Sequence, residues 1–248
     1  MNETIGSDKT LSKNGIKNFV LKIDLITKEE LDIGKIAEKM SVYFDRTEKR
    51  QVSNFTINFT KENSEICKKE AFDYVLISEE KSISMTFSET GNCFLFETQN
   101  YTDNSVYKEF VKKVIGVINE SVEGVESKRI GMRYINDFSC GKISDVSKIF
   151  GKRLSSILKI VLREDKQIRS IVMEEYSNDE YKLRLQYGVP NKYYPSILSV
   201  YDLRLDIDSY IQSTCTINDW EKIIKDLNHE SYAIFVKEMN EKYLESLK

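Results

Sequence analysis

The sequence predicts an α+β protein, with mostly antiparallel sheet and flanking helices. Several short segments alternate apolar and polar residues, as half-buried strands do, and four or five longer ones repeat apolar residues at helical spacing. Most links between the strand segments are short, which requires antiparallel neighbours. The 248 residues, of which 40% are hydrophobic, suffice for a substantial core.

In the first half of the chain, segments with the apolar spacing of strands alternate with segments that have the apolar spacing of helices. Residues 1–13 are polar and charged, which is typical of a flexible leader. Asp32 is a candidate N-cap for the first helix, and Gly91 and Asn92 suit a hairpin turn. In order, we predict a strand at 19–25, a helix at 32–44, strands at 52–60, 72–78, 82–87 and 92–98, a helix at 104–119 and a strand at 128–136.

The second half begins with a predicted continuous helix. Asn218, followed by Glu221 three residues later, matches a capping box that would begin the last helix. In order, we predict a helix at 146–160, strands at 169–176, 181–189 and 200–210, and a long helix from 218. We divide the chain after the leader into two abutting subdomains, residues 14–140 and 141–248.

Composition argues against several classes of protein. A net charge of −3 disfavours a globally basic nucleic-acid binder. The chain has one histidine, His229, four widely spaced cysteines, and no glycine-rich phosphate loop, so no metal or cofactor is expected. The polar N-terminus and the lack of a long apolar run predict a cytoplasmic protein with no membrane partner. Whether the protein is an enzyme stays open, with the balance against catalysis.

Charged residues line one face of the strand at 200–210. Asp206 and Asp208 could act there as acid/base groups or bind a divalent cation. If this strand pairs with the preceding strand, its carboxylates face a row of cations. The alternative to a functional site is that these charges form ordinary cross-strand pairs on a solvent-exposed face of the sheet. The residues concerned are Asp202, Arg204, Asp206 and Asp208 on the later strand and Lys182, Arg184 and Gln186 on the earlier one.

Two arginines flank a glycine on the strand at 128–136. Arg129 and Arg133 share a face with Gly131, whose missing side chain would let an anionic ligand approach two guanidinium groups. This pair is our main ligand-binding hypothesis. The alternative is that both arginines form ion pairs with acidic residues of a neighbouring strand.

Tyrosines cluster around the loop that holds both prolines. Exposed aromatic rings beside cations are typical of base stacking. The cluster consists of Tyr187, Tyr193, Tyr194 and Tyr201, with Lys182, Arg184 and Lys192 nearby.

The strand RIGMRYIN at residues 129–136 resembles a strand of an uncharacterised, sporadically distributed family of prokaryotic proteins of similar length. The segment LRLDID at 203–208 and the helix containing LNHE at 227–230 share this resemblance, which covers most of the chain. The resemblance implies a cytoplasmic protein, and the sporadic distribution is typical of mobile or phage-defence genes. It implies no activity, cofactor or catalytic residue.

The absence of any recognisable catalytic motif in the sequence favours a non-catalytic binding protein of the sensor, adaptor or inhibitor type. Its expected partner is another protein or a small anionic ligand, with a homo-oligomer left open. The alternative is a carboxylate- and metal-dependent enzyme acting on a phosphate-containing or nucleotide substrate. Nucleic-acid binding through the tyrosine loop ranks third.

Overall fold

A computed structural model describes residues 15–28, 31–59, 64–163, 166–178 and 180–247, without the side chains of 54–59 and 64–69. The predicted leader lies outside these residues. Up to residue 138 the elements are β1 (Ile16–Ile26), α1 (Ile33–Ser41), β2 (Arg46–Phe59), β3 (Ser64–Ser78), β4 (Ile83–Ser88), β5 (Cys93–Thr98), α2 (Ser105–Ser121) and β6 (Glu126–Phe138).

The remaining elements complete one sheet and its helical layer. They are α3 (Val146–Ile149), α4 (Lys152–Val161), β7 (Ser170–Ser177), β8 (Lys182–Val189), β9 (Leu203–Ile211), β10 (Cys215–Thr216), α5 (Trp220–Glu238) and α6 (Glu241–Ser246). None of the helices in the described ranges is long and apolar enough to cross a membrane.

All the described strands belong to one antiparallel sheet of ten strands. Its order is β2-β3-β4-β5-β1-β6-β9-β8-β7, and the short β10 pairs with β6. Every pairing is antiparallel. The predicted α+β class with a mostly antiparallel sheet is therefore confirmed. The central neighbours β6 and β9 are distant in sequence, and β7 is an edge strand.

The buried apolar residues form two clusters that meet on β6. One contains Ile130 and Met132 together with side chains from α1, α2 and the start of α5. The other contains Phe138 together with side chains from α3, α4 and the end of α5. These β6 residues differ by even numbers and therefore point to the same side of the sheet. The described helices thus cover one face and leave the opposite face bare.

The helix predicted at 146–160 is in fact two helices, because the backbone breaks at Phe150 and Gly151. Phe150 adopts an extended conformation and forms a β-bridge with Met239. The backbone N–H of Gly151 donates to the carbonyl oxygen of Glu238 at 2.7 Å. The chain thus exchanges one helical turn for contacts with the end of α5.

Of the local features predicted from sequence, the N-cap at Asp32 and the turn at Asn92 are present, whereas the capping box at Asn218 is not. Asp32 does cap α1, accepting a hydrogen bond from the backbone N–H of Lys35 at 3.0 Å. Asn92 has a positive φ of 44° in the predicted hairpin turn between β4 and β5. The prediction of a capping box at the start of α5 is wrong. The Asn218 side chain does not cap the helix but accepts a hydrogen bond from the side chain of Asn119.

Candidate functional site

Six of the charged residues singled out in the sequence lie together on the bare face of the sheet: Arg129, Arg133, Arg184, Arg204, Asp206 and Asp208. Strands β6 and β9 place Arg133 opposite Asp208, and β8 and β9 place Arg184 opposite Asp208. The strands at 181–189 and 200–210 do pair as expected, but Arg184 is the only cation of the earlier strand that lies opposite a carboxylate of the later one, since Lys182 lies opposite Tyr210. Together with two acceptors that we did not predict, we call this set the charged ladder: Arg129, Arg133, Asp137, Glu175, Arg184, Arg204, Asp206 and Asp208.

The shortest contact in the charged ladder runs diagonally between β6 and β9. Arg133 donates from Nε to Asp206 Oδ1 at 2.8 Å and from Nη2 to Asp206 Oδ2 at 2.6 Å. Such bidentate pairs are among the stronger hydrogen-bonded contacts in proteins. The hydrogen bond to Asp206 raises the pKa of Arg133. Both carboxylate oxygens of Asp206 are thus engaged inside the protein.

The other arginines of the charged ladder also have internal acceptors. Arg204 donates from Nε and Nη2 to the two oxygens of Asp137 at 2.7 and 2.9 Å, and this raises the pKa of Arg204. Arg184 donates from Nε to Glu175 at 2.7 Å. Neither acceptor was singled out in the sequence: Asp137 lies just beyond the strand predicted at 128–136, and Glu175 is one of two adjacent glutamates in the strand predicted at 169–176.

Asp208 has a looser environment than Asp206. Its nearest cation is Arg129, whose Nη2 lies 3.6 Å from Asp208 Oδ2. Burial raises the pKa of Asp208, while the charges of Arg129, Arg133 and Arg184 act in the opposite direction. At Asp208 the effect of burial on the pKa therefore outweighs the attraction of the three arginines.

The space above Gly131 is filled from within the protein. A Cβ built at Gly131 would lie 3.1 Å from Arg129 Nη2 and 3.1 Å from the Cβ of Tyr210. The Arg129 guanidinium lies 4.5 Å from the centre of the Tyr210 ring. In this conformation the glycine accommodates Arg129 itself, so a ligand held by Arg129 and Arg133 would first have to displace it. Ligand binding by this pair stays a prediction.

The alternative metal site has no support in the geometry. No cluster of three or more His, Cys, Asp or Glu side chains suited to a metal ion occurs within the described residues. Asp206 binds Arg133, and Asp208 faces arginines. His229 lies exposed on α5.

A second feature, which sequence analysis did not predict, is an apolar surface at the β7 edge of the sheet. Of the twelve exposed large hydrophobic side chains in the described residues, nine fall between residues 160 and 200. Ile171 and Met173 on β7 are 49% and 58% exposed and share the bare face with the charged ladder. We define the β7 apolar surface as Ile168, Ile171, Met173, Tyr193, Tyr194, Ile197 and Val200.

Hydrogen bonds fix the loop that supplies most of this surface. Asn191, with a φ of 55°, donates from Nδ2 to the carbonyl oxygens of Ile168 and Ser196 at 2.6 and 2.7 Å. Its Oδ1 accepts from the backbone N–H of Tyr193 at 3.0 Å. The backbone N–H of Leu198 donates to the carbonyl oxygen of Gln167 at 2.7 Å. The exposed side chains are thus presented by an ordered loop joined to the start of β7.

The predicted tyrosine cluster is only partly at the surface. Tyr193 and Tyr194 are 58% and 59% exposed, and the Arg169 guanidinium lies 4.8 Å from the centre of the Tyr194 ring. Tyr187 is buried, and its hydroxyl donates to Glu174 at 2.6 Å. Tyr201 is half-buried and donates to the carbonyl oxygen of Arg163. Two of the four tyrosines therefore remain accessible to a partner.

A charged cluster on the helix-covered face of the sheet was also not predicted from the sequence. Arg153 on α4 donates from Nε to both oxygens of the buried Glu238 at 3.0 Å and from Nη1 to Glu174 at 2.7 Å. A cavity of about 460 Å³ adjoins it and is also lined by Tyr181 and Ile234. The donors and acceptors come from three elements, so no local sequence pattern reveals them.

Comparison with known proteins adds no assignment. No protein-family model matches the chain, and no curated protein is significantly similar to it.

Proposed function

We propose that this chain is a non-catalytic interaction protein that binds another protein through the β7 apolar surface. The proposal rests on the β7 apolar surface, which holds seven of the twelve exposed large hydrophobic side chains in the described residues. Contiguous exposed apolar patches on an otherwise polar surface mark interaction sites. Tyr, Met and Arg, all present here, are enriched at protein interfaces.

The charged ladder supports the same proposal. The charged ladder lies beside the β7 apolar surface on the same bare face of the sheet. On β7, Glu175 of the ladder follows Met173 by two residues, and the two lie opposite Arg184 and Gln186 of β8. The ladder's charges are already paired, so a partner would meet side chains held in place before binding. A small anionic ligand at Arg129 and Arg133 would have to break those pairs. In the setting that the family resemblance implies, the protein is a cytoplasmic sensor, adaptor or inhibitor of a mobile or phage-defence system.

Native mass spectrometry of the tagged full-length chain, purified from the cells that produce it, tests this proposal. We compare wild type with Met173→Ser/Tyr193→Ser. The matched control is Val42→Ser/Tyr43→Ser, which changes two side chains that are 75% and 44% exposed at the end of α1. We expect a protein adduct in wild type and control that is lost from the Met173→Ser/Tyr193→Ser variant.

The other outcomes also decide the proposal. A mass at an integral multiple of that of the tagged chain, without a second protein, overturns it. A multiple above one that falls to one in the Met173→Ser/Tyr193→Ser variant identifies another copy of the chain as the occupant. An adduct that persists in the Met173→Ser/Tyr193→Ser variant removes the β7 apolar surface from the interface. A nucleotide or metal adduct lost on Asp206→Asn supports the enzyme alternative instead.

A further inference from the structure

We infer that the partner presents an acidic, apolar segment to the β7 apolar surface, and this inference rests on the function proposed above. Residues 159–169, which lead from α4 towards β7, contain four cationic residues and two carboxylates. Their net charge is positive, in contrast to the −3 of the whole chain. The cations are Lys159, Arg163, Lys166 and Arg169, and the carboxylates, Glu164 and Asp165, lie outside the described residues.

Among the described residues, these four cations differ from the neighbouring Arg153, Arg184 and Lys192, each of which pairs with a carboxylate. Within the described residues, none of the four forms an ion pair with a carboxylate. The nearby carboxylates Glu174, Glu175 and Asp202 already have cationic partners, which are Arg153 (shared with Glu238), Arg184 and Lys192. The stretch that leads into the β7 apolar surface, where Arg169 lies against Tyr194, therefore carries a net positive charge and would attract an anionic partner.

The apolar side chains specify the partner further. Ile168, Ile171, Ile197 and Val200 are 41 to 57% exposed and offer aliphatic contacts, which a sugar–phosphate backbone does not complement. Anionic membranes are typically recognised by clusters of about four to eight Lys or Arg. Here two carboxylates offset four cations within one stretch. An acidic protein segment with interspersed apolar residues matches both the charge and the aliphatic surface.

Tyr194 is the position from which to test this inference. It is 59% exposed and lies against Arg169, so it reports on the apolar and the cationic part of the surface at once. We replace Tyr194 with the photo-crosslinking residue p-benzoylphenylalanine in the full-length chain, irradiate the producing cells and sequence the captured segment. The same replacement at Tyr43 is the control. We expect a segment of net negative charge at position 194 and none at position 43.

A synthetic peptide copied from the captured segment gives a quantitative second test. Arg163→Glu/Arg169→Glu should weaken its binding at least about tenfold, whereas Lys222→Glu/Lys225→Glu, on exposed positions of α5, should leave binding unchanged. A captured segment that is neutral or basic overturns this inference but leaves the proposed protein partner. Capture of nucleic acid or lipid at position 194 overturns both. Unchanged binding in the arginine variant overturns the role of the cations.

Discussion

Arg133 and Asp206 are joined by two hydrogen bonds of 2.8 and 2.6 Å, although their side chains differ in exposure at 43% and 5%. The strand register places Arg133 opposite Asp208, so the guanidinium reaches past its direct neighbour to the more buried carboxylate. A buried ionised carboxylate is costly unless it is paired and hydrogen-bonded. Removing Arg133 would therefore leave a buried unpaired charge at Asp206, whereas removing Asp206 would leave a half-exposed cation that water can solvate.

This asymmetry predicts unequal effects of removing the two partners. Arg133→Met leaves a buried carboxylate without its partner and should lower the free energy of unfolding by about 3 kcal/mol. Asp206→Asn leaves an arginine that water can reach and should cost about 1.5 kcal/mol. Urea unfolding at pH 7 measures both. The control Arg184→Met breaks the exposed pair with Glu175 and should change stability by less than about 1 kcal/mol. Equal losses for Arg133→Met and Asp206→Asn would contradict the asymmetry.

The same contact predicts the response to divalent cations. Because Arg133 engages both oxygens of Asp206, we expect millimolar Mg²⁺ or Mn²⁺ to leave the thermal unfolding midpoint of the wild type unchanged. Differential scanning fluorimetry, with Asp206→Asn measured in parallel, checks this expectation. A metal-dependent rise in the midpoint that disappears in Asp206→Asn would establish the metal-dependent alternative.

Asp208 predicts a specific dependence of stability on pH. Burial raises the pKa of Asp208 in the folded protein above its ordinary value of 3.8. The folded state therefore binds the proton more tightly than the unfolded state does, and this contribution to stability is fully present below pH 3.8. It is lost as the pH rises through the folded pKa. Asp208→Asn abolishes this titration, so its stability relative to wild type should increase from acid towards neutral pH.

Urea unfolding of wild type and Asp208→Asn between acid and neutral pH measures this difference. A relative stability of Asp208→Asn that falls with rising pH would show that its ion pair with Arg129 outweighs the cost of burial.

The elements of this fold follow from local sequence, whereas the candidate site depends on contacts between distant parts. Alternation along β9 correctly put Arg204, Asp206 and Asp208 on one face. It could not show that Arg133, 73 positions away, binds Asp206. The break at Phe150 likewise depends on a bridge to Met239, which no pattern in residues 146–160 reveals. The spacing of apolar residues along a segment therefore predicts which face a side chain lies on, but not which distant residue it contacts.

The β7 apolar surface was unpredictable for a related reason. Ile171 and Met173 alternate with Val172 and Glu174, as they would in any half-buried strand. Their exposure results from the position of β7 at the sheet edge and from the lack of a described helix over the bare face. Both are properties of the assembled sheet. The loop residues Tyr193 and Tyr194 were identified from composition, but their exposure depends on the hydrogen bonds of Asn191.

Gly188 links the edge strand to the rest of the sheet and gives the last prediction. It has a φ of 142°, and a Cβ there would lie 2.2 Å from the carbonyl oxygen of Ser170 on β7. Gly188→Ala should therefore push β7 away from β8 and destabilise the protein by several kcal/mol. The control Gly116→Ala lies in α2, where a Cβ meets nothing within 4 Å, and should stabilise the protein by about 0.5–1 kcal/mol.

Hydrogen exchange localises the effect of Gly188→Ala. Amides of residues 170–173 should exchange much faster in this variant than in wild type, while those of β1 and β6 should change only as far as global stability changes. Because Ile171 and Met173 belong to the β7 apolar surface, partner binding should fall together with protection of β7. If binding persists after β7 has lost protection, the partner depends on the 190–200 loop alone, and the strand plays no part in recognition.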